Sequence, residues 1–316
     1  VPRSCLLVGR ADLTDTALFP DKTGLAISSK DPIMRADSPE KNMAKSDIQI
    51  LYEDPRILLI NKPTGVSVTA DRSGAPDLLQ ILHGRLNPPE PLRLVHRLDK
   101  ETSGILLLAK NRDAQSQYSS GFAKRRFAKL YLAIVQGPVP QTEGRIKAPI
   151  ARSRRNPQAM LIHPRLGKEA VTHWQKLMDL GRLALLAVQP LTGRTHQIRL
   201  HMSHRGIPLA IDSMYAGSQP LLLSDFKSGY RGKKDSPEVP LIDRLTLHAY
   251  QLRIPIGPPD APQEQTFVAA PDKKFAAAIK MLAKHARPEQ QSEQETKTIQ
   301  TILDGRPLPF LTETGQ

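Results

Sequence analysis

Val95-His96-Arg97-Leu98-Asp99-Lys100-Glu101-Thr102-Ser103-Gly104-Ile105-Leu106-Leu107-Leu108-Ala109 runs from the densest polar cluster of the chain straight into an unbroken apolar stretch. A strand with one wet face alternates apolar and polar side chains. Ile105–Ala109 does not, so it reads as a strand buried on both faces. The polar cluster before it is then a loop held by rigid structure, the setting in which reactive groups concentrate. Asp99 lies between Arg97 and Lys100, whose positive charges favour an ionised, nucleophilic carboxylate. The same residues suit a purely structural turn, with Asp99 as its cap and Thr102 and Ser103 satisfying loop amides.

Outward from this strand the chain alternates short strands and helices. Ile48–Tyr52 and Ile57–Ile60 flank Glu53-Asp54-Pro55-Arg56, a strand–turn–strand pattern, and Asn61-Lys62-Pro63-Thr64-Gly65 closes the second strand in a turn. Pro76-Asp77 opens a helix to about Arg85, and a second helix is predicted over Arg112–Lys124. Strands follow at Phe127–Gln136, Glu169–Leu177, Leu183–Gln189 and Leu245–Ile254, with helices at Thr195–Ser203 and Lys273–Lys284. Residues 213–239 read as an insertion loop. Residues 1–46 read as a poorly ordered arm and 286–316 as a mobile tail, leaving 47–285 as one strand-rich α+β domain.

Charge narrows the partner. The net charge is +14, and residues 93–205 hold 21 basic against 6 acidic side chains, so this segment carries the whole excess. Such segregation fits a polyanionic partner, of which nucleic acid is the commonest. A membrane surface would call for a basic amphipathic helix with a broad apolar face, and no run reaches the ~18 apolar residues of a membrane span. The single cysteine, Cys5, excludes an internal disulfide framework and suits a reducing, cytoplasmic home.

Three more clusters carry chemistry. Thr192-Gly193-Arg194-Thr195-His196-Gln197-Ile198-Arg199-Leu200-His201 places Gly193 after a strand and Thr195 as a helix N-cap, a start suited to a phosphate. It lacks the spacing of a Walker loop. His196, His201 and His204 lack the i, i+4 spacing of a helical zinc pair, so no metal is expected. Lys129-Leu130-Tyr131-Leu132-Ala133 sets a tyrosine in a strand, where a core role is the ordinary one. Arg152-Ser153-Arg154-Arg155-Asn156 reads as a loop that contacts phosphates.

Taken together and in order, these segments resemble the RluA-type pseudouridine synthases. His96-Arg97-Leu98-Asp99 with Thr102-Ser103-Gly104 is similar to that family's signature, and Leu130–Ala133 with Val135-Gln136-Gly137 and Gly193–His201 match its later motifs. Asn61–Gly65 is similar to its first motif and Leu247-His248-Ala249 to its closing strand, so the resemblance spans roughly Ile48 to Lys284. It implies a mixed, largely antiparallel sheet in two halves, with RNA held in a central cleft. It also implies isomerisation of uridine to pseudouridine in rRNA or tRNA, without cofactor or metal; a monomer is expected, with the oligomeric state left open by the sequence. By motif position Asp99 matches the catalytic aspartate, Tyr131 the tyrosine that stacks on the target base, and Arg199 the basic partner of Asp99. His96, Arg97, Thr102, Arg194, His196 and Gln197, with Arg152, Arg154 and Arg155, are the expected RNA contacts. Leu98, Ile105 and Ile198 are candidates for a wall that excludes water.

Two departures stand out. Residues 1–46 are too short and irregular for the S4-like domain of many members, and Ala210-Ile211-Asp212 replaces a common Gly-Asp pair, leaving Asp212 and Tyr215 in place. Two other functions compete: an RNA-binding module with no chemistry, and a glycoside or nucleoside hydrolase. The hydrolase needs two carboxylates about 5–9 Å apart, and only Glu101 lies near Asp99 in sequence.

Overall fold

The computed structural model describes residues 48–311 apart from 72–73, 233–235, 259 and 287–291, so the arm expected at 1–46 lies outside the described residues. Strands β1 (Gln49–Glu53) and β2 (Ile57–Lys62) form the first antiparallel hairpin. Asp54 shapes its turn by accepting the amides of Arg56 and Ile57 at 2.7 Å. Helix α1 (Leu78–Leu86) starts at Asp77, which shares a reciprocal capping box with Gln80. After the short β3 (Arg93–Leu94) comes β4 (Ser103–Ala109), every residue of which is buried. Both faces of the apolar run are covered, as its lack of alternation predicts. Each of its Leu and Ile side chains contributes about 1.5–3 kcal/mol of burial.

Helix α2 (Arg112–Ala123), capped by Asn111, leads into β5 (Ala128–Gln136). Next come β6 (Glu143–Lys147), β7 (Ile150–Arg152), β8 (Met160–Ile162), β9 (Val171–Leu180) and β10 (Leu183–Pro190). Helix α3 (Gln197–His204), β11 (Leu247–Ile256), β12 (Gln263–Val268), α4 (Lys273–Ala286) and α5 (Glu293–Leu303) complete the order. The main sheet runs β1-β2-β4-β11-β5-β10-β9-β6, with β3 beside β4 and β12 beside β11. Among the described residues every strand pair is antiparallel except β4–β11.

That parallel seam joins the two halves of the sheet through His248 opposite Ser103 and Ala249 opposite Gly104. Gly104 has φ +113°, and a Cβ there would lie 2.1 Å from the Ala249 carbonyl oxygen. Only glycine permits this approach, which brings the Asp99 loop against β11. One core cluster packs α1 and α2 on one face of the sheet, including Leu78, Leu82, Ala114 and Tyr118. The other packs α4 and α5 on the opposite face, through Phe275, Ile279, Ile299 and Ile302.

The C-terminal expectation needs correction. Residues 292–311 form part of the domain: α5 is capped by Ser292 with Glu295, and Ile299, Ile302 and Leu308 are buried. Gln251 bonds both the amide and the carbonyl of Leu308. A polar composition hid a narrow apolar stripe that only the sheet face makes useful. The short β3, β6, β7, β8 and β12 also went unforeseen, because pairing rather than hydrophobic periodicity defines them. In the segment 213–239, the described residues hold one 3-10 turn, Leu223–Asp225, and a bridge from Leu221 to Ile242.

Candidate active site

The turn Asn61–Gly65 is a clamp on the Asp99 loop. The ammonium of Lys62, fully buried, donates to the carbonyls of Pro63, Val66 and Lys100 at 2.8, 2.9 and 3.0 Å. Gly65 N–H also donates to the Lys100 carbonyl, and the Thr64 hydroxyl to that of Glu101. Burial draws the Lys62 pKa down to about 7, opposed by the charges of Glu101 and Asp99. Within the loop, Thr102 N–H donates to the Asp99 carbonyl at 3.1 Å. Lys62 was read in the sequence only as part of a turn; a lysine next to a strand end gives no sign of which carbonyls it will serve.

Asp99 presents a carboxylate whose side chain is 18% exposed, with Oδ2 3.4 Å from Nη1 of Arg199. The expected pair is therefore present, but it is the looser of two. Arg199 gives Nε and Nη2 to Asp212 at 2.8 and 2.7 Å, a two-pronged bond to a carboxylate only 1% exposed. Asp212 Oδ1 accepts the amides of Met214 and Tyr215 as well. Burial works against the Arg199 charge, but the bonds and charge of Asp212, followed by Asp99, outweigh it and raise its pKa. Asp212 thus aims the guanidinium, and its third nitrogen reaches Asp99. The ring of Tyr215 lies under the same guanidinium, 5.3 Å from its carbon.

His196 Nε2 faces Asp99 Oδ2 at 3.8 Å, an electrostatic contact longer than a hydrogen bond. His196, not Thr195, precedes α3; it takes a left-handed φ of 54° and makes no side-chain cap. Gln197 ties the loop before the helix to β9. Its Oε1 accepts the Arg194 amide and the Thr192 hydroxyl, while its Nε2 donates to the Val171 carbonyl and the Thr172 hydroxyl. With all four positions used and the residue buried, Gln197 is a framework residue rather than an RNA contact. His201 is spent on Thr172 and the Ala148 carbonyl.

A cavity of about 420 Å³ opens over Asp99. Arg97, Arg125, Lys129, Arg194 and Arg199 line it against the single carboxylate of Asp99, with Tyr131, Phe122 and Leu247 among the apolar surfaces. Tyr131 projects from β5, where it pairs with Val188 and Ala249; burial first, then the Asp99 charge, raises its phenol pKa. Lys129, two residues earlier, has its pKa lowered to about 8 by burial. Leu98 and Ile198 line the cavity, whereas Ile105 belongs to the core beneath it. Arg97, Thr102, Arg194 and His196 are also lining residues, although Thr102 is 2% exposed and Arg194 Nε donates to the Glu169 carbonyl. His96 lines the wall too, but its Nε2 accepts the Leu107 amide at 3.0 Å. Burial, then the charge of Lys129, holds its pKa near about 3, so it is a neutral prop for β4. Arg152, at the end of β7, and Arg154 and Arg155, on the turn to β8, lie exposed outside the cavity lining.

A carboxylate aimed by a guanidinium, with a tyrosine ring beside it in a cationic cavity, is one arrangement built from three separate sequence motifs. A profile of the family described as RNA pseudouridylate synthase matches residues 56–204. The ribosomal large subunit pseudouridine synthase C of Vibrio vulnificus is 31% identical over 245 residues, covering 76% of this chain and 71% of that protein. The chain belongs to the RluA-type RNA pseudouridine synthases. An uncharacterized RNA pseudouridine synthase of Bacillus subtilis, YhcT, is 37% identical over 182 residues, 56% of this chain and 60% of that one. Human RNA Pseudouridylate Synthase Domain Containing 4 superposes with a TM-score of 0.56 at 28% identity, covering 77% of this chain and 95% of the human structure. The chain spans about three fifths of the length of several curated relatives that it matches. The family's fold, a mixed and mostly antiparallel sheet, is the one described above.

Proposed function

We propose that this protein isomerises uridines in RNA to pseudouridine, with Asp99 as nucleophile or base. The observation that carries the reading is the Asp99 carboxylate, partly exposed in a cationic cavity and met by Arg199 at 3.4 Å. In the reaction the N1–C1′ bond breaks, the uracil turns, C5 joins C1′, the C5 proton passes to solvent, and N1 takes up a proton in its place. Atoms and charge balance with no oxidant, reductant or added water. One ionised carboxylate suffices for such chemistry. Arg199, itself fixed by Asp212, directs that carboxylate.

The target base must leave its stack at a cost of a few kcal/mol, and an aromatic platform such as Tyr131 returns about 1–3 kcal/mol of it. The cations around the cavity suit the phosphates that flank an everted nucleotide, and Arg154 and Arg155 add exposed positive charge on the β7–β8 turn. Relatives named for the ribosomal large subunit favour rRNA over tRNA as the substrate. Among the described residues no helix is long and apolar enough to cross a membrane.

A hydrolase would want Asp212 as a second free carboxylate, yet both its oxygens are engaged by Arg199. A binder without chemistry gains nothing from a carboxylate held in a cationic cavity. The test is tritium release from rRNA and tRNA transcripts labelled at uridine C5. Release is expected from at least one RNA with the natural protein and none with Asp99→Asn. Equal release by that variant removes Asp99 from its role.

A further inference from the structure

Tyr215 and His196 are joined in a way the reaction above does not use. The Tyr215 hydroxyl lies 2.8 Å from His196 Nδ1 and 2.8 Å from the amide nitrogen of Met160, at the start of β8. An amide N–H only donates, so the phenol oxygen is the acceptor from Met160. Its own proton then has one hydrogen-bonding neighbour left among the described residues, His196 Nδ1. On the far side of the ring, Nε2 faces the Asp99 carboxylate at 3.8 Å, where an N–H is attracted and a lone pair is repelled. Both edges of the imidazole select the same tautomer: Nδ1 bare, Nε2 protonated.

We propose that Tyr215 is a positioning residue that acts through His196: its hydroxyl locks the imidazole as the Nε2–H tautomer and turns that N–H toward Asp99 Oδ2. His196 then restrains the carboxylate from one side while Arg199 restrains it from the other. A gap of 3.8 Å closes to a hydrogen bond with a shift of about 0.8 Å, within reach of a side chain responding to a nucleotide in the cavity. The strained left-handed backbone of His196, φ 54°, is what brings the ring between Tyr215 and Asp99. Tyr215 also lies under the Arg199 guanidinium, so one residue steadies both partners of the carboxylate by different parts of its ring. This inference rests on Asp99 being the reactive group, but its structural half can be tested without turnover.

Histidine-labelled protein examined by 15N–1H correlation NMR reads the tautomer directly, with His196 assigned by the signal lost in His196→Gln. The natural protein is expected to show an unprotonated, hydrogen-bonded Nδ1 and a protonated Nε2 at His196. A protonated Nδ1 overturns the proposal whether or not the protein modifies RNA. Tyr215→Phe keeps the ring beneath Arg199 and removes only the hydroxyl. It is expected to shift the His196 signals toward mixed tautomers and to lower the single-turnover rate about fivefold, with RNA affinity changed less than about twofold. An unchanged spectrum and rate in Tyr215→Phe, or a loss confined to RNA affinity, overturns it equally. Absence of any turnover in the natural protein together with the expected tautomer would sink the enzymatic reading while leaving the hydroxyl–imidazole lock intact.

Discussion

Replacing Asp212 with asparagine should cost this protein its stability, whereas the same change at Asp99 should cost it only chemistry. The asparagine amide would still offer an oxygen to the Met214 and Tyr215 amides, so the perturbation is confined to the ion pair. What it removes is the negative charge and the 2.8 Å bond from Nε to Oδ2, leaving an amide N–H against a guanidinium whose side chain is 8% exposed. A buried cation stripped of its partner typically destabilises by about 3–5 kcal/mol. In a domain of this size each kcal/mol moves the melting temperature by about 2–4 °C, so a fall of about 10 °C is expected for Asp212→Asn. Asp99 makes one 3.4 Å contact and keeps an opening to solvent, so Asp99→Asn should cost under about 1 kcal/mol, or a few degrees. Turnover should vanish in both, because in the first Arg199 is free to swing onto Asp99. Thermal melts beside the tritium assay measure both effects. If Asp212→Asn melts within two or three degrees of the natural protein, or Asp99→Asn falls as far, the division of labour between the two carboxylates is wrong.

Three further outcomes follow from the same geometry. Lys62→Met should destabilise by about 3 kcal/mol by taking the ammonium from three carbonyls, of which that of Lys100 keeps the Gly65 N–H, and should slow turnover without loosening RNA, because the Lys100 carbonyl anchors the Asp99 loop; urea melts with binding titrations would expose an error if stability is kept. Acid should weaken the fold: burial first of all holds His96 at about 3 and His248 at about 4, so between about pH 4 and 6.5 the unfolded chain binds protons that the folded chain refuses. Stability then falls as pH falls, by up to about 1.4 kcal/mol per pH unit for each ring, and equal urea midpoints at pH 7 and 5 would contradict this. Arg154→Ala with Arg155→Ala should weaken all RNAs alike and flatten the salt dependence of binding, and an unaltered slope takes this hairpin turn out of the interface.

Local signals carried the reading of the sequence a long way. The unbroken run Ile105–Ala109 is a strand, helices begin at Asp77 and Arg112 as expected, and the motif residues Asp99, Tyr131 and Arg199 line one cavity. What stayed hidden depends on partners distant in the chain. Asp212 takes the Arg199 fork from the mouth of a loop without periodicity, and Lys62 reaches across 38 residues to a carbonyl. Gln197 and His96 mislead for a related reason. A polar side chain in a motif has the same appearance whether it faces RNA or completes the backbone, and both of these complete the backbone. Helix α5 was hidden by its polar residues, since Ile299 and Ile302 acquire meaning only against the sheet.

The most direct measurement is a nucleoside balance. RNA incubated with the natural protein or with Asp99→Asn is digested completely, and uridine, pseudouridine and free uracil are quantified by liquid chromatography and mass spectrometry. Every uridine lost should reappear as pseudouridine, with no uracil released, and Asp99→Asn should leave the RNA unaltered. Free uracil with abasic sites, or pseudouridine formed equally by the variant, would contradict an isomerase centred on Asp99.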